Sequence, residues 1–264
     1  MLKLYHGDTS VCSQKVRLVL TEKRLAWEGI FIDLGKGDQF RPDYMALNPN
    51  AVVPTLVDDG KVIIESTMIN EYIDDAFPSV PLRPADPYER ALMRLWTKQL
   101  DDSIHYAINT VSFGIAFRVP LLGLPDHVRE ARYSNMPDPA RREKMKEMIA
   151  LGVDSPLVGQ AISRLDKMLS DMEAALERHA WLAGDGYSLA DAGLTPYVNR
   201  MAMLRLHRMW KRTRPRVTDW YARVKARPNF AESILKYDPP GRIALMQAAG
   251  DDAWQKVKTK IAAA

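Results

Sequence analysis

A change of hydrophobic period near residue 80 constrains this 264-residue chain more than any other feature. Before that point short strand-like runs alternate with turn signals; after it apolar residues recur at helical spacing through most of the remaining sequence. No single layer satisfies both patterns, so the sequence predicts an α/β domain over residues 1–80, a linker over 81–87 and an all-helical domain over 88–264. In the first part Leu2–His6 reads as a strand, Asp8, Thr9 and Ser10 are helix-starting types, and Val11–Lys23 carries Val16, Val19 and Leu20 at helical spacing. Glu28–Leu34 alternates as a second strand, followed by a Gly35–Pro42 loop and a turn of helix through Ala46. Two β-rich runs, Val53–Val57 and Lys61–Glu65, flank Asp58-Asp59-Gly60, a hairpin signal because Asp-Gly supplies the positive φ of a tight turn. Ser66 is then expected to cap a helix running to about Ala76. Strand, helix, strand, then hairpin and helix predict a small sheet with parallel and antiparallel pairs mixed.

Pro81, Pro84 and Pro87 keep the linker extended. Leu92, Leu95, Trp96, Leu100, Ile104 and Ile108 mark one long helix from Tyr88 to about Phe117, and residues 118–150 read as an inserted helical hairpin. Further helices are expected over Ile162–Ala180, Ser188–Arg205 and Arg216–Ala226, with two weak helical stretches after Asp238. Thirty-seven basic and 33 acidic residues leave a net charge of +4, and no Lys/Arg block is dense enough to need a phosphate backbone. Nucleic acid is therefore not expected as a partner, and the cluster Arg205, Arg208, Lys211, Arg212, Arg214 and Arg216 reads first as a solvated loop face and second as a contact for an acidic substrate or a membrane surface. No run approaches the roughly 20 apolar residues that span a bilayer, and Met-Leu-Lys-Leu-Tyr is not a signal-peptide start, so a cytoplasmic protein is expected. Cys12 is the single cysteine, which excludes an internal disulfide and a Cys-rich zinc site; the five histidines show no ligand spacing, so no metal site is expected.

Two constellations carry chemistry. Thr9-Ser10-Val11-Cys12-Ser13-Gln14-Lys15-Val16-Arg17 places two serine hydroxyls and a thiol where a strand gives way to a helix. Backbone N–H groups and the positive end of the helix dipole meet there and favour an anion, a thiolate included. A serine alone at such a place is more often only a cap. The second is Val53-Pro54 with Glu65-Ser66 across the hairpin. A cis bond at Val53-Pro54 would turn the Val53 N–H and C=O outward to pair with a peptide-like ligand. Ser66 at a helix start can hold a carboxylate, and Glu65 can accept from an ammonium. Together they fit a ligand with an amino-acid end and an amide backbone; apart, they read as a hairpin proline and a helix cap. Ser188-Leu189-Ala190-Asp191 is a capping box with a folding role.

With Ser10–Arg17, Asn48-Pro49 ahead of Val53-Pro54-Thr55-Leu56, Glu65-Ser66 and the Ser188–Asp191 box in this order, the chain resembles the cytosolic glutathione transferases over nearly its whole length. The resemblance implies a thioredoxin-like N-terminal domain that binds glutathione, an all-α C-terminal domain that shapes the second-substrate site, and a homodimer. It implies that Val53 beside a cis Pro54 pairs with the cysteinyl backbone of glutathione, that Glu65 and Ser66 hold its γ-glutamyl end, and that Gln39 and Lys36 approach the glycyl carboxylate. Zeta- and omega-like alignments place Ser10 at the activating position, a phi-type alignment Cys12, and theta-type or etherase-like alignments Ser13; Ser10 is the first choice. Cys12 could instead form a mixed disulfide with glutathione, which suits thiol transfer or deglutathionylation. Many relatives carry Lys, Arg or Gln between Asn50 and Val53, where this chain has Ala51-Val52. Leu4-Tyr5-His6 and Ser13–Val19, together with the 118–150 extension, resemble the ganglioside-induced differentiation-associated proteins, and the same extension resembles bacterial lignin β-etherases. The implied activity is attack of a glutathione thiolate on a hydrophobic, aromatic electrophile, with β-aryl ether cleavage as the sharper version. Trp96, Tyr106, Phe113 and Phe117 are candidates for the second-substrate wall, and His105 reads as structural. The alternative is a glutathione-fold interaction module with a vestigial site.

Overall fold

The structure, a computed structural model, describes residues 1–262. Strand β1 (Leu2–His6) lies inside a four-stranded sheet of order β2-β1-β3-β4. It pairs in parallel with β2 (Trp27–Phe31), Leu2 opposite Trp27, and antiparallel with β3 (Thr55–Asp58), Leu4 opposite Leu56. Strand β4 (Lys61–Ile63) completes the hairpin, turned by Asp59 and Gly60 at φ +45° and +85°. Helix α1 (Val11–Glu22) connects β1 to β2, the short α2 (Pro42–Met45) precedes β3, and α3 (Ser66–Ala76) follows β4. Leu4 and Leu56 from the sheet, Val16 and Leu20 from α1, and Ile69 and Ile73 from α3 are fully buried. The thioredoxin-like arrangement expected from the sequence is therefore present, followed by helices. One start differs: Ser66 is the first helical residue, and Glu65 at φ +66° occupies the cap position without a side-chain bond, because the backbone has already turned there.

The chain folds into two compact units, each discontinuous in sequence. The sheet unit comprises residues 1–98, 175–196 and 219–239, the other 99–174, 197–218 and the chain from Pro240 on. In the sheet unit a fully buried ion pair, Lys23 Nζ to Asp74 Oδ1 at 2.6 Å, joins the ends of α1 and α3. Asp74 also accepts from Leu82 N at 2.8 Å and Arg83 Nε at 2.7 Å, so the proline-rich segment is fastened by one carboxylate. Asp191, wholly buried, accepts from Ser188 N and Oγ, Leu182 N and Trp220 Nε1. The capping box thus forms as expected and gains two further donors, although burial still pushes the Asp191 carboxyl up to about 6.

Helices α4 (Pro87–Gln99), α5 (His105–Ser112) and α6 (Arg118–Leu122) run on from one another through two π-helical turns, Leu100–Ile104 and Phe113–Phe117. Trp96, Leu100, Ile104 and Ile108 are all buried at a strict spacing of four. In a pure α-helix that spacing drifts by roughly 40° per step, and a wider turn takes up the drift. Leu95, expected on this stripe, is exposed, and Met93 is buried in its place. The 118–150 region forms α7 (Asp126–Ser134) and α8 (Pro139–Leu151), which with Phe113 and Leu121 enclose Tyr133, Met145, Met148 and Ile149. Then come α9 (Pro156–Leu176), α10 (Leu189–Met203), α11 (Pro215–Ala226) and α12 (Pro228–Ser233). In place of two weak stretches the tail is one helix, α13 (Pro240–Ala262), made compatible with close packing by Gly250 against the Leu204 carbonyl.

Candidate active site

Ser10 is the N-cap of α1 in extended geometry, and its Oγ accepts from Ser13 N at 3.3 Å. The hydroxyl's acceptor side serves the helix, and its hydrogen meets no acceptor among the described residues. Cys12 is half-buried in the first turn. Ser13 is fully buried, and its Oγ accepts from Gly7 N at 3.1 Å, so it fastens the turn rather than facing outward. Gly7 has no room for more: a Cβ would press on the Leu34 and Val53 side chains at 3.2–3.4 Å.

Behind this turn lies a cation that the sequence reading named without a role. Arg17 is fully buried; it donates to Gly7 O, Asp8 O and Ser233 O, each at 2.8 Å, and its guanidinium lies 4.2 Å from the centre of the Tyr237 ring. Burial lowers its pKa to about 10, which leaves it charged at neutral pH. His6, 3.2 Å away through Nδ1, is driven down to about 4, first by burial and then by the Arg17 charge, and is neutral. Lys15, also buried, donates to Thr67 Oγ1 at 2.7 Å, one residue beyond Ser66. Neither α1 nor α3 has an acidic residue in its first turn. Both helix N-termini therefore keep their positive potential, which suits anions at Ser10 and Ser66.

The Val53–Pro54 peptide is cis. Val53 lies two residues ahead of the β1–β3 ladder, its segment held from below: Val52 O accepts from Tyr44 Oη at 2.5 Å and Asn48 Nδ2 at 3.0 Å, and both partners also reach Thr55 Oγ1. Ala51 is buried at φ +50°, a left-handed conformation that a side chain adopts at a cost. Glu65 is exposed at φ +66° and Ser66 is buried beside it. Asn70 Oδ1, one turn into α3, is buried with no partner among the described residues. Gln39 lies in the 3₁₀ turn Asp38–Phe40 with its Oε1 likewise unpartnered, and Lys36 is exposed, 3.6 Å from Asp33. All of these residues belong to the sheet unit.

The four candidate wall aromatics part company. Trp96 is in the core of the sheet unit, its indole donating to Leu182 O at 2.9 Å, and Tyr106 is 67% exposed. Phe113 and Phe117 meet edge-to-face at 5.3 Å on the second π turn. The buried Arg200 lies over Phe117 at 5.1 Å and donates to Ser112 Oγ at 3.2 Å. His105 Nδ1 lies 3.4 Å from Tyr197 Oη. Arg205 and Arg208 share Asp251, Arg214 pairs with Asp166 and Arg216 with Glu173, so four of the six cations of the basic cluster have a carboxylate partner. Sequence reasoning named Lys15, Arg17, Asn48 and Thr55 without assigning them these contacts, and did not single out Tyr44 or Arg200. For Arg17 a signal existed, since it falls four residues after Ser13 and three before Leu20 on the buried face of α1.

The family models for the glutathione S-transferase N-terminal and C-terminal domains match residues 9–76 and 129–223. The chain belongs to the glutathione S-transferase family and is an enzyme of it. Among relatives, it is 30% identical to protein LigF of Sphingobium sp. strain SYK-6, over 89% of this chain and 93% of that one. It is 32% identical to glutathione S-transferase 3 of Zea mays (90% and 96% covered) and 30% identical to the tetrachloro-p-hydroquinone reductive dehalogenase of Sphingobium chlorophenolicum (87% and 94%). The crystal structure of beta-etherase LigF superposes with a TM-score of 0.81, covering 89% of this chain and 99% of that one.

Proposed function

We propose that this transferase activates glutathione through Ser10 and directs it at an aromatic ether. The observation that carries the reading is the Ser10 hydroxyl, which accepts from the helix and keeps its hydrogen to donate to a sulfur at the positive end of α1. When bound, glutathione supplies a thiolate that forms a carbon–sulfur bond while the aryl ether carbon–oxygen bond breaks and a phenolate leaves. Ser10 stabilises that sulfur as an anion, the thiol proton passing to solvent. The Val53 main chain pairs with the amide backbone of the tripeptide, Ser66 holds the γ-glutamyl carboxylate, and Glu65 accepts from its ammonium. Gln39 and Lys36 approach the glycyl carboxylate. The unused amide oxygen of Asn70 agrees with a polar ligand that donates, since buried polar atoms ordinarily find partners. The likeness to LigF favours an ether over other electrophiles.

Incubation with glutathione and a β-aryl ether should release phenol and glutathione thioether in equal amounts, and Ser10→Ala should lower kcat by about 10²–10³. Conjugation of aryl halides without ether cleavage removes the ether reading alone; an unchanged rate in Ser10→Ala removes Ser10. We also infer a homodimer: Val62, Met68, Tyr88 and Leu95 are large exposed apolar side chains on β4, α3 and α4 of the sheet unit. Elution at monomer mass would overturn it. No described helix is long and apolar enough to cross a membrane.

A further inference from the structure

The turn that carries Ser10 is held by a segment more than 220 residues away in the chain. Gly7 is gripped through both of its main-chain polar groups, its N–H donating to Ser13 Oγ and its carbonyl accepting from Arg17. Asp8 O, two residues before Ser10, is held by the same guanidinium. What fixes that guanidinium in turn comes from residues 233–238: Ser233 O accepts from Nε at 2.8 Å, and the Tyr237 ring covers its face at 4.2 Å. A second tie runs in parallel, from Gln14 Nε2 on the first turn of α1 to Asp238 Oδ1 at 3.1 Å. The Tyr237 ring also meets His6 edge-on at 5.3 Å, at the last residue of β1. Both boundaries of the Ser10 turn, the end of β1 and the start of α1, therefore lean on Tyr237 and Asp238.

We propose that Tyr237 and Asp238 are positioning residues for the transferase reaction, setting the Ser10 hydroxyl through Arg17 and Gln14 without touching either substrate. This rests on the assignment of Ser10 as the activating residue. Ground-state binding of glutathione uses Val53, Glu65 and Ser66, none of which the segment contacts in the ties described above, so the effect falls on the sulfur rather than on the peptide. A displacement of about 1 Å at a reacting group is enough to cost up to about a hundredfold in rate.

The test titrates the thiol of bound glutathione by ultraviolet absorbance in the full-length enzyme, alongside kcat and KM. Tyr237→Leu and Asp238→Ala should each raise that thiol pKa by about one unit and lower kcat at neutral pH about tenfold, a loss of about 1.4 kcal/mol, with KM for glutathione changed less than about twofold. Tyr237→Phe, which keeps the ring over the guanidinium, and Asp238→Asn, which keeps an acceptor for Gln14, should restore most of both. Variants that melt earlier but leave the thiol pKa and kcat unchanged would show a purely structural segment and overturn the proposal. Ser10→Ala separates the two claims. If it raises the thiol pKa while Tyr237→Leu and Asp238→Ala do not, the positioning role falls and Ser10 stands; if Ser10→Ala leaves that pKa unmoved, the assignment of Ser10 falls first.

Discussion

A buried guanidinium is tolerable only when its donors are used, and Arg17 uses them on three main-chain carbonyls and an aromatic face. Arg17→Met would leave the carbonyls of Gly7, Asp8 and Ser233 buried without those donors, at about 1–3 kcal/mol each. Chemical denaturation should show a loss of about 3–6 kcal/mol, and a loss under 1 kcal/mol would mean that water replaces the guanidinium. Arg17→Lys should recover only part, because an ammonium cannot reproduce the planar fork. Why such residues escape a sequence reading is plain at this scale. Hydropathy places every Lys and Arg outside, whereas Lys15, Arg17 and Lys23, all on or next to α1, are buried because each has an oxygen to meet. Ser10 and the Ser188–Asp191 box were legible because caps act within three residues of themselves; Tyr44, Asn48 and Thr55 were not, because their meeting depends on the tertiary fold.

Elements declare themselves through period and punctuation, and lose legibility where one packs closely on another. The Asp-Gly hairpin and the strand–helix–strand order could be read directly. The two π turns could not, although the spacing of four from Trp96 to Ile108 was their trace. Helix α13, where two weak stretches are expected from the sequence, is one helix in the structure, and its Gly250 is explained by the approach of Leu204 and Arg205. That gives a prediction of unusual sign. In an exposed helix Gly→Ala gains about 1 kcal/mol, but a Cβ at position 250 meets main-chain atoms that cannot swing aside. Gly250→Ala should therefore destabilise by about 1–3 kcal/mol in thermal unfolding. A stabilised variant would show that α13 can shift outward at no cost.

Across the molecule, two buried titrating groups pull the stability in opposite directions with pH, and both lie in the sheet unit. His6 takes up a proton below about 6.5 when unfolded but only below about 4 when folded, so acidification through that window removes stability. Asp191 is protonated below about 6 in the folded chain and below 3.8 when unfolded, so acidification through its window adds stability. At about 1.4 kcal/mol per unit each effect is worth about 3 kcal/mol, and between pH 6 and 4 they nearly cancel. His207, lowered by burial and then by Arg208 and Arg205, adds in the His6 direction. Replacing Asp191 with Asn removes the compensating member. Measured as denaturant midpoints, Asp191→Asn should lose about 3 kcal/mol more than the parent between pH 7 and pH 4, whatever its stability at pH 7. His6→Gln should do the reverse and lose less on acidification than the parent. If Asp191→Asn and the parent respond to pH alike, the donors from Trp220, Leu182 and Ser188 outweigh burial and keep Asp191 ionised, so that the acid side of the stability curve belongs to His6 and His207.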